Sequence, residues 1–133
     1  MQSERKPLVL FVCRHNTGRS QMAEAYLRKL MGDRVEVASA GTIAAALPDA
    51  GVVAVMAEDG IDISAARPKL IDPDVAQRAD KIITMGCDVS GVERIDADWG
   101  LPDPKGQSRE RLREIRNMVK QKVEALASEL SSR

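Results

Sequence analysis

The chain has 133 residues, 44% of them apolar, which suits one packed domain spanning residues 1–133 and is too short for two. Lysine plus arginine equals aspartate plus glutamate at 20 each, so a broadly basic nucleic-acid surface is excluded and any anion site must be built locally. The three aromatic residues, Phe11, Tyr26 and Trp99, are too few for a base-stacking platform, and no apolar run reaches the ~20 residues that span a bilayer.

The charged start up to Lys6 is followed only by Leu8–Phe11 and Val12, too short a run for a secretory signal core. The expectation is a cytoplasmic protein with no membrane and no nucleic-acid partner. In that compartment its two cysteines, Cys13 and Cys87, point to free thiols or redox chemistry rather than a structural bridge.

In chain order, the continuous apolar run Leu8–Val12 predicts a strand buried on both faces. Residues 19–31 predict a helix with Met22, Tyr26, Leu27 and Leu30 on one side. A second strand fits 35–40, ended by Gly41. A helix fits 49–59 with Gly60 as its stop, and a short helix fits 74–78 after Pro73. Residues 81–85 read as a third strand and 92–95 as a weaker fourth. In the last helix Leu112, Ile115, Val119, Val123, Leu126 and Leu130 step by three, four, four, three and four, with charged residues opposite. Strands alternating with helices predict an α/β fold, a parallel sheet covered on both sides. Ligands bind such sheets at the carboxyl ends of the strands, where Cys13 stands after the first and residue 86 opens a long irregular segment after the third.

The segment Cys13-Arg14-His15-Asn16-Thr17-Gly18-Arg19-Ser20 joins that first strand to the first helix. Its N–H groups and the helix N-terminus can converge on one phosphate-like oxyanion. Gly18 permits close approach, and Asn16 tolerates left-handed backbone and can bond within the loop. Arg19 offers a planar fork for two oxygens. Helix dipole, N–H groups and Arg19 would all favour a thiolate at Cys13, and Ser20 could donate to it. A buried structural cysteine before an ordinary helix cap is the plain alternative; the strand–loop–helix context and the added Asn, Gly and Ser favour the reactive reading.

Elsewhere, Pro102 and Pro104 stiffen the chain around Asp103 and fix where its carboxyl group points, as a proton donor requires. Cys87, 74 residues after Cys13, is either a small buried residue or a redox thiol. His15, the only histidine, could tune Cys13; it is expected to face solvent. No Cys, His and carboxylate cluster has metal-ligand spacing, so no metal is expected. Arg67, Lys69 and Lys105 could enrich the rim in positive charge or be plain solvated surface.

The run from Val9 to Ala25, with its Cys-x5-Arg loop, closely resembles the low-molecular-weight protein tyrosine phosphatase superfamily. Within it, Ser20–Glu24, Ser39–Thr42, Thr84–Cys87 and Trp99–Pro104 resemble the thiol-linked arsenate reductase branch. The resemblance covers nearly the whole chain in order. It implies a flavodoxin-like three-layer fold with four parallel strands in the order 2-1-3-4. It makes Cys13 the nucleophile, Arg19 the oxyanion ligand and Asp103 the general acid. It implies arsenate reduction through a Cys13 adduct, with no bound cofactor and an external thiol reductant: mycothiol, glutathione with glutaredoxin, or thioredoxin. Many thioredoxin-coupled members carry a third cysteine soon after the second, and residues 88–98 here contain none. An internal relay ending at Cys87 is therefore in doubt, and Cys87 is dispensable if an external thiol attacks the adduct. The alternative is hydrolysis of phosphotyrosine or another phosphate monoester. Phosphatases of the superfamily place an aromatic wall beside the pocket, often directly after Asp-Pro, and here Lys105 holds that place.

Overall fold

A computed structural model describes residues 6–43, 45–86, 92 and 94–131. Cys87 lies outside the described residues. Four strands, β1 (Leu8–Cys13), β2 (Glu36–Gly41), β3 (Lys81–Thr84) and β4 (Ala97–Asp98), form one parallel sheet in the order β2-β1-β3-β4. Around it lie α1 (Arg19–Met31), α2 (Ala50–Glu58), α3 (Pro73–Arg78) and α4 (Arg109–Ser131), with a 3₁₀ turn at Gly32–Arg34. The α/β class, the parallel sheet and its strand order match the expectation.

All six residues of β1 are buried, because the central strand is covered on both sides. Its alternation separates two cores. Val9, Phe11 and Cys13 join the larger one, with Met22 and Tyr26 of α1, Val52 and Met56 of α2, and the buried stripe of α4. Leu8, Leu10 and Val12 join a smaller one, against which Val75 and Ala76 of α3 pack. The six apolar residues predicted along the last helix are the six that α4 buries.

Two expectations fail. The fourth strand is Ala97–Asp98, not 92–95. Its pairing is set by hydrogen bonds rather than apolar content: Asp96 donates its N–H to the Ile82 carbonyl at 2.8 Å, its carboxylate accepts from the Ile82 N–H at 2.8 Å, and Trp99 N–H reaches the Thr84 carbonyl at 2.9 Å. Leu30 is 41% exposed, and Met31 is buried in its place. The buried side of α1 runs through Tyr26 and Leu27 to Met31, one step of four from Leu27, which turns Leu30 off the face.

The sheet brings to one edge what the chain keeps apart. Cys13 closes β1, Gly41 closes β2, and Met85 follows β3. The segments after β1, β2 and β4 bring Cys13, Asp49 and Asp103 to one cavity at the carboxyl edge of the sheet.

Candidate active site

The loop between β1 and α1 is folded tightly around its own side chains. Asn16 is the non-glycine residue among those described with positive φ, at 57°, and it is fully buried. Its amide nitrogen donates to Ser20 Oγ at 2.7 Å, and its Oδ1 accepts from the Lys69 N–H at 2.9 Å and from Gln21 Nε2 at 3.2 Å. One side chain thereby ties the loop to α1 and to the segment after α2. Gly18 caps α1 without a side-chain hydrogen bond, and a Cβ there would stand 2.7 Å from Pro104 Cγ. The close approach of the Asp103 segment thus demands glycine.

Cys13 is 3% exposed. Its Sγ lies 2.8 Å from Ser20 Oγ and accepts from the Asn16 N–H at 3.2 Å. Because Ser20 Oγ already accepts from Asn16, its hydroxyl hydrogen is left for the sulfur. Both contacts aim a donor at Sγ and fix its place at the foot of the loop.

Arg19 is buried to 7% exposure. Its Nη1 donates at 2.8 Å to two carbonyls, those of Met85 and Leu101. Its Nε is buried with no partner among the described residues. A buried unpaired donor on a guanidinium costs free energy unless a ligand accepts from it. The edge of the fork not used on the carbonyls is therefore available to an oxyanion.

The structure brings Cys13, His15, Thr17, Gly18, Arg19, Asp103 and Lys105 to the wall of one small cavity. His15 is half-buried there rather than turned to solvent. Arg14 is exposed, and its carbonyl accepts from the Ile43 N–H at 2.9 Å. Asp103 Oδ1 accepts from the Lys105 N–H at 3.0 Å, which fixes the turn carrying the carboxyl group. Lys69 touches the loop through its backbone alone in these contacts, and Arg67 bonds to the carbonyls of Ser64 and Ala66. Sequence reasoning missed Asp49 and Pro104, which also face the cavity. Asp49 caps α2 by accepting from Val52 N–H at 3.1 Å, and its own N–H donates to the Thr17 carbonyl at 3.0 Å. A capping aspartate before a helix was legible; its contact with the loop was not.

No Phe, Tyr or Trp is among the described residues lining the cavity. Trp99 turns into the larger core, its ring 5.5 Å from that of Phe11. Among the described residues no three His, Cys, Asp or Glu side chains are grouped to hold a metal ion, and no helix is long and apolar enough to cross a membrane.

Comparison with known proteins adds lineage to this geometry. Residues 8–133 match the family model of low molecular weight phosphotyrosine protein phosphatases. A glutaredoxin arsenate reductase from Synechocystis sp. is 37% identical over 129 residues, covering 92% of this chain and 98% of its own. A solved arsenate reductase in the phosphate binding state superposes with a TM-score of 0.83 at 36% identity, covering 93% of this chain and 98% of that one. A thioredoxin-dependent arsenate reductase of Corynebacterium glutamicum superposes with a TM-score of 0.79 at 33% identity, over 98% of this chain and 64% of that longer one. The chain belongs to the low-molecular-weight phosphotyrosine protein phosphatase family and groups with its arsenate reductases.

Proposed function

We propose that this protein is an arsenate reductase in which Cys13 forms the adduct and a second thiol resolves it. The observation that carries the reading is the cavity over Cys13: among the described residues its lining includes Arg19, whose buried Nε has no partner, and no Phe, Tyr or Trp. A compact tetraoxyanion needs donors and no stacking surface, whereas a phenyl ester needs both.

The N–H groups of residues 14, 15 and 17–19 and the free edge of Arg19 hold arsenate, while the Asn16 N–H and Ser20 hold the sulfur. The Cys13 thiolate attacks arsenic and a sulfur–arsenic bond forms. One arsenate hydroxyl leaves as water after taking a proton, for which Asp103 is the positioned donor. A second thiolate then attacks Cys13 Sγ. The sulfur–arsenic bond breaks with its electron pair staying on arsenic, so arsenic passes from the +5 to the +3 state, arsenite departs, and the two sulfurs are left as a disulfide. A further thiol reduces that disulfide. The reductant is an external thiol; the relatives named for glutaredoxin and thioredoxin support a redoxin system in a reducing cytoplasm. His15, Thr17 and Lys105 complete the walls of the site, and Arg14 lies on its exposed rim.

Phosphate-ester hydrolysis is the second reading, because Cys13, Arg19 and Asp103 line the same cavity and would serve it too. The two are separated by arsenate-dependent turnover measured side by side with thioredoxin, glutaredoxin and mycothiol systems, against hydrolysis of p-nitrophenyl phosphate. Arsenate turnover with at least one system, abolished in Cys13→Ser and substantially retained in Cys87→Ser, is expected. No turnover with any system, alongside efficient ester hydrolysis, would reverse the assignment. Complete loss in Cys87→Ser with an arsenate-induced Cys13–Cys87 disulfide would make Cys87 the internal resolving thiol instead.

A further inference from the structure

Two of the five N–H donors of Arg19 are spent on main-chain carbonyls, and those carbonyls come from two separate segments. Met85 follows β3, and Leu101 follows β4. Neither carbonyl is held in place by a regular ladder, since β3 ends at Thr84 and β4 at Asp98. What holds them is a knot between the two strand ends. Asp98 Oδ1 accepts from Thr84 Oγ1 at 2.7 Å and from the Gly86 N–H at 2.7 Å, gripping the residues on either side of Met85. The Trp99 N–H donates to the Thr84 carbonyl at 2.9 Å. Gly86 has φ +91°, and a Cβ on it would stand 2.9 Å from Gly100 Cα and 2.9 Å from Leu101 N. The two segments are therefore in backbone contact at the point from which both carbonyls reach Arg19.

From this geometry we infer that Asp98 is a positioning residue for oxyanion binding: by clamping residues 84–86 to residues 98–101, it sets the two carbonyls that aim the Arg19 guanidinium. The inference rests on Arg19 being the oxyanion ligand. Its logic is that a flexible arginine gains most from a fork held in advance of binding, because less rotamer freedom is then lost when the anion arrives. A carboxylate accepting both a hydroxyl and a main-chain N–H is a stiff tie, stronger than a tie between neutral groups. Asp98 touches neither Arg19 nor the cavity wall in the hydrogen bonds it makes, so its effect must pass through Met85 and Leu101. It is also an exposed residue, which suits a variant that stays folded.

The test uses inorganic phosphate as the probe and the protection of Cys13 from iodoacetamide as the readout, so it does not depend on arsenate turnover. Asp98→Ala should raise the phosphate concentration giving half protection about tenfold, the size expected when a charge-assisted hydrogen bond that organises a site is lost. Asp98→Asn, which keeps an acceptor oxygen but not the charge, should recover part of that loss. Gly86→Ala, which drives a Cβ into the Gly100–Leu101 backbone, should reproduce the Asp98→Ala defect. In an Arg19→Lys background the Asp98→Ala change should add less than about twofold, because residues acting through one group are not additive. Thermal melts of each variant accompany the binding curves. Unchanged protection in both Asp98→Ala and Gly86→Ala overturns the clamp, as does the same tenfold effect in the Arg19→Lys background. If phosphate fails to protect Cys13 in the unmodified protein, the reading of the site itself falls and takes the clamp with it.

Discussion

Asn16 carries two demands at one position: a left-handed backbone at φ 57° and a side chain that serves Ser20, Gln21 and Lys69. Glycine would meet the first demand and alanine neither. Asn16→Ala should cost about 3 kcal/mol, from buried partners left unpaired and from forcing alanine into the left-handed region. Asn16→Gly should cost roughly 1 kcal/mol less, since only the hydrogen bonds go. Urea unfolding of the two variants measures both; equal losses would show that the backbone conformation carries no burden here. The Cys-x5-Arg spacing between a strand and a helix made this loop legible from sequence, because its side chains sit within eight residues. The supports of Arg19 were not legible. They are main-chain carbonyls 66 and 82 residues away, and a carbonyl has no residue type to announce it. Asp49 was hidden for the same reason, since its link to the loop runs through the Thr17 carbonyl.

Among the elements, α4 and β4 mark the two extremes of what a pattern can disclose. The α4 stripe was readable residue by residue because a long helix on one core repeats its period over five successive steps. Strand β4 has two residues, one half-buried and one exposed, and no period can be read from two positions. The apolar Val92 and Ile95 suggested a strand there, yet Ile95 is 48% exposed, and the pairing lies downstream where Asp96 and Asp98 fasten to β3. Helix α4 also holds α1 against the sheet, and fully buried Ile115 belongs to the core that contains Cys13. Ile115→Ala should therefore lower stability by about 2–5 kcal/mol, the range for large-to-small changes in a packed core. Phosphate protection of Cys13 should persist at temperatures where the variant is folded, since no loop residue is altered. A loss of protection in the folded variant would show that α4 sets the loop geometry and not merely its stability.

At the scale of the molecule, the parallel sheet followed from alternation and its order β2-β1-β3-β4 from family resemblance, but neither disclosed the tie between the three helices of the larger face. Tyr26 of α1 donates its hydroxyl to Asp59 at the end of α2 at 2.7 Å, and Lys120 of α4 pairs with the same carboxylate at 3.2 Å while lying over the Tyr26 ring. Burial, followed by the hydrogen bond to Asp59, pushes the Tyr26 phenol well above its ordinary value of 10.0. The Tyr26 hydroxyl and then Lys120 hold Asp59 below the usual carboxylate range. The two shifts act on opposite limbs of the stability curve. The depressed Asp59 stabilises the fold above its unfolded value of 3.8, and this contribution fades as pH falls through its lower folded value. The raised Tyr26 stabilises the fold fully below pH 10. Above that, the unfolded chain sheds a proton that the folded chain keeps, so this contribution declines as pH rises toward the folded value. Tyr26→Phe should cost about 1 kcal/mol at pH 7 from the lost hydrogen bond. Between pH 10 and 11.5 the unmodified protein should lose stability faster than the variant, by on the order of 1 kcal/mol per pH unit. Lysine deprotonation acts on both proteins and largely cancels in the difference, apart from Lys120, which faces the mutated ring. Urea unfolding at pH 7, 10 and 11.5 measures that difference directly. A gap between the two proteins that stays constant across this range would mean that Tyr26 ionises as freely in the fold as in the unfolded chain, and that the three-helix tie is not what keeps its proton.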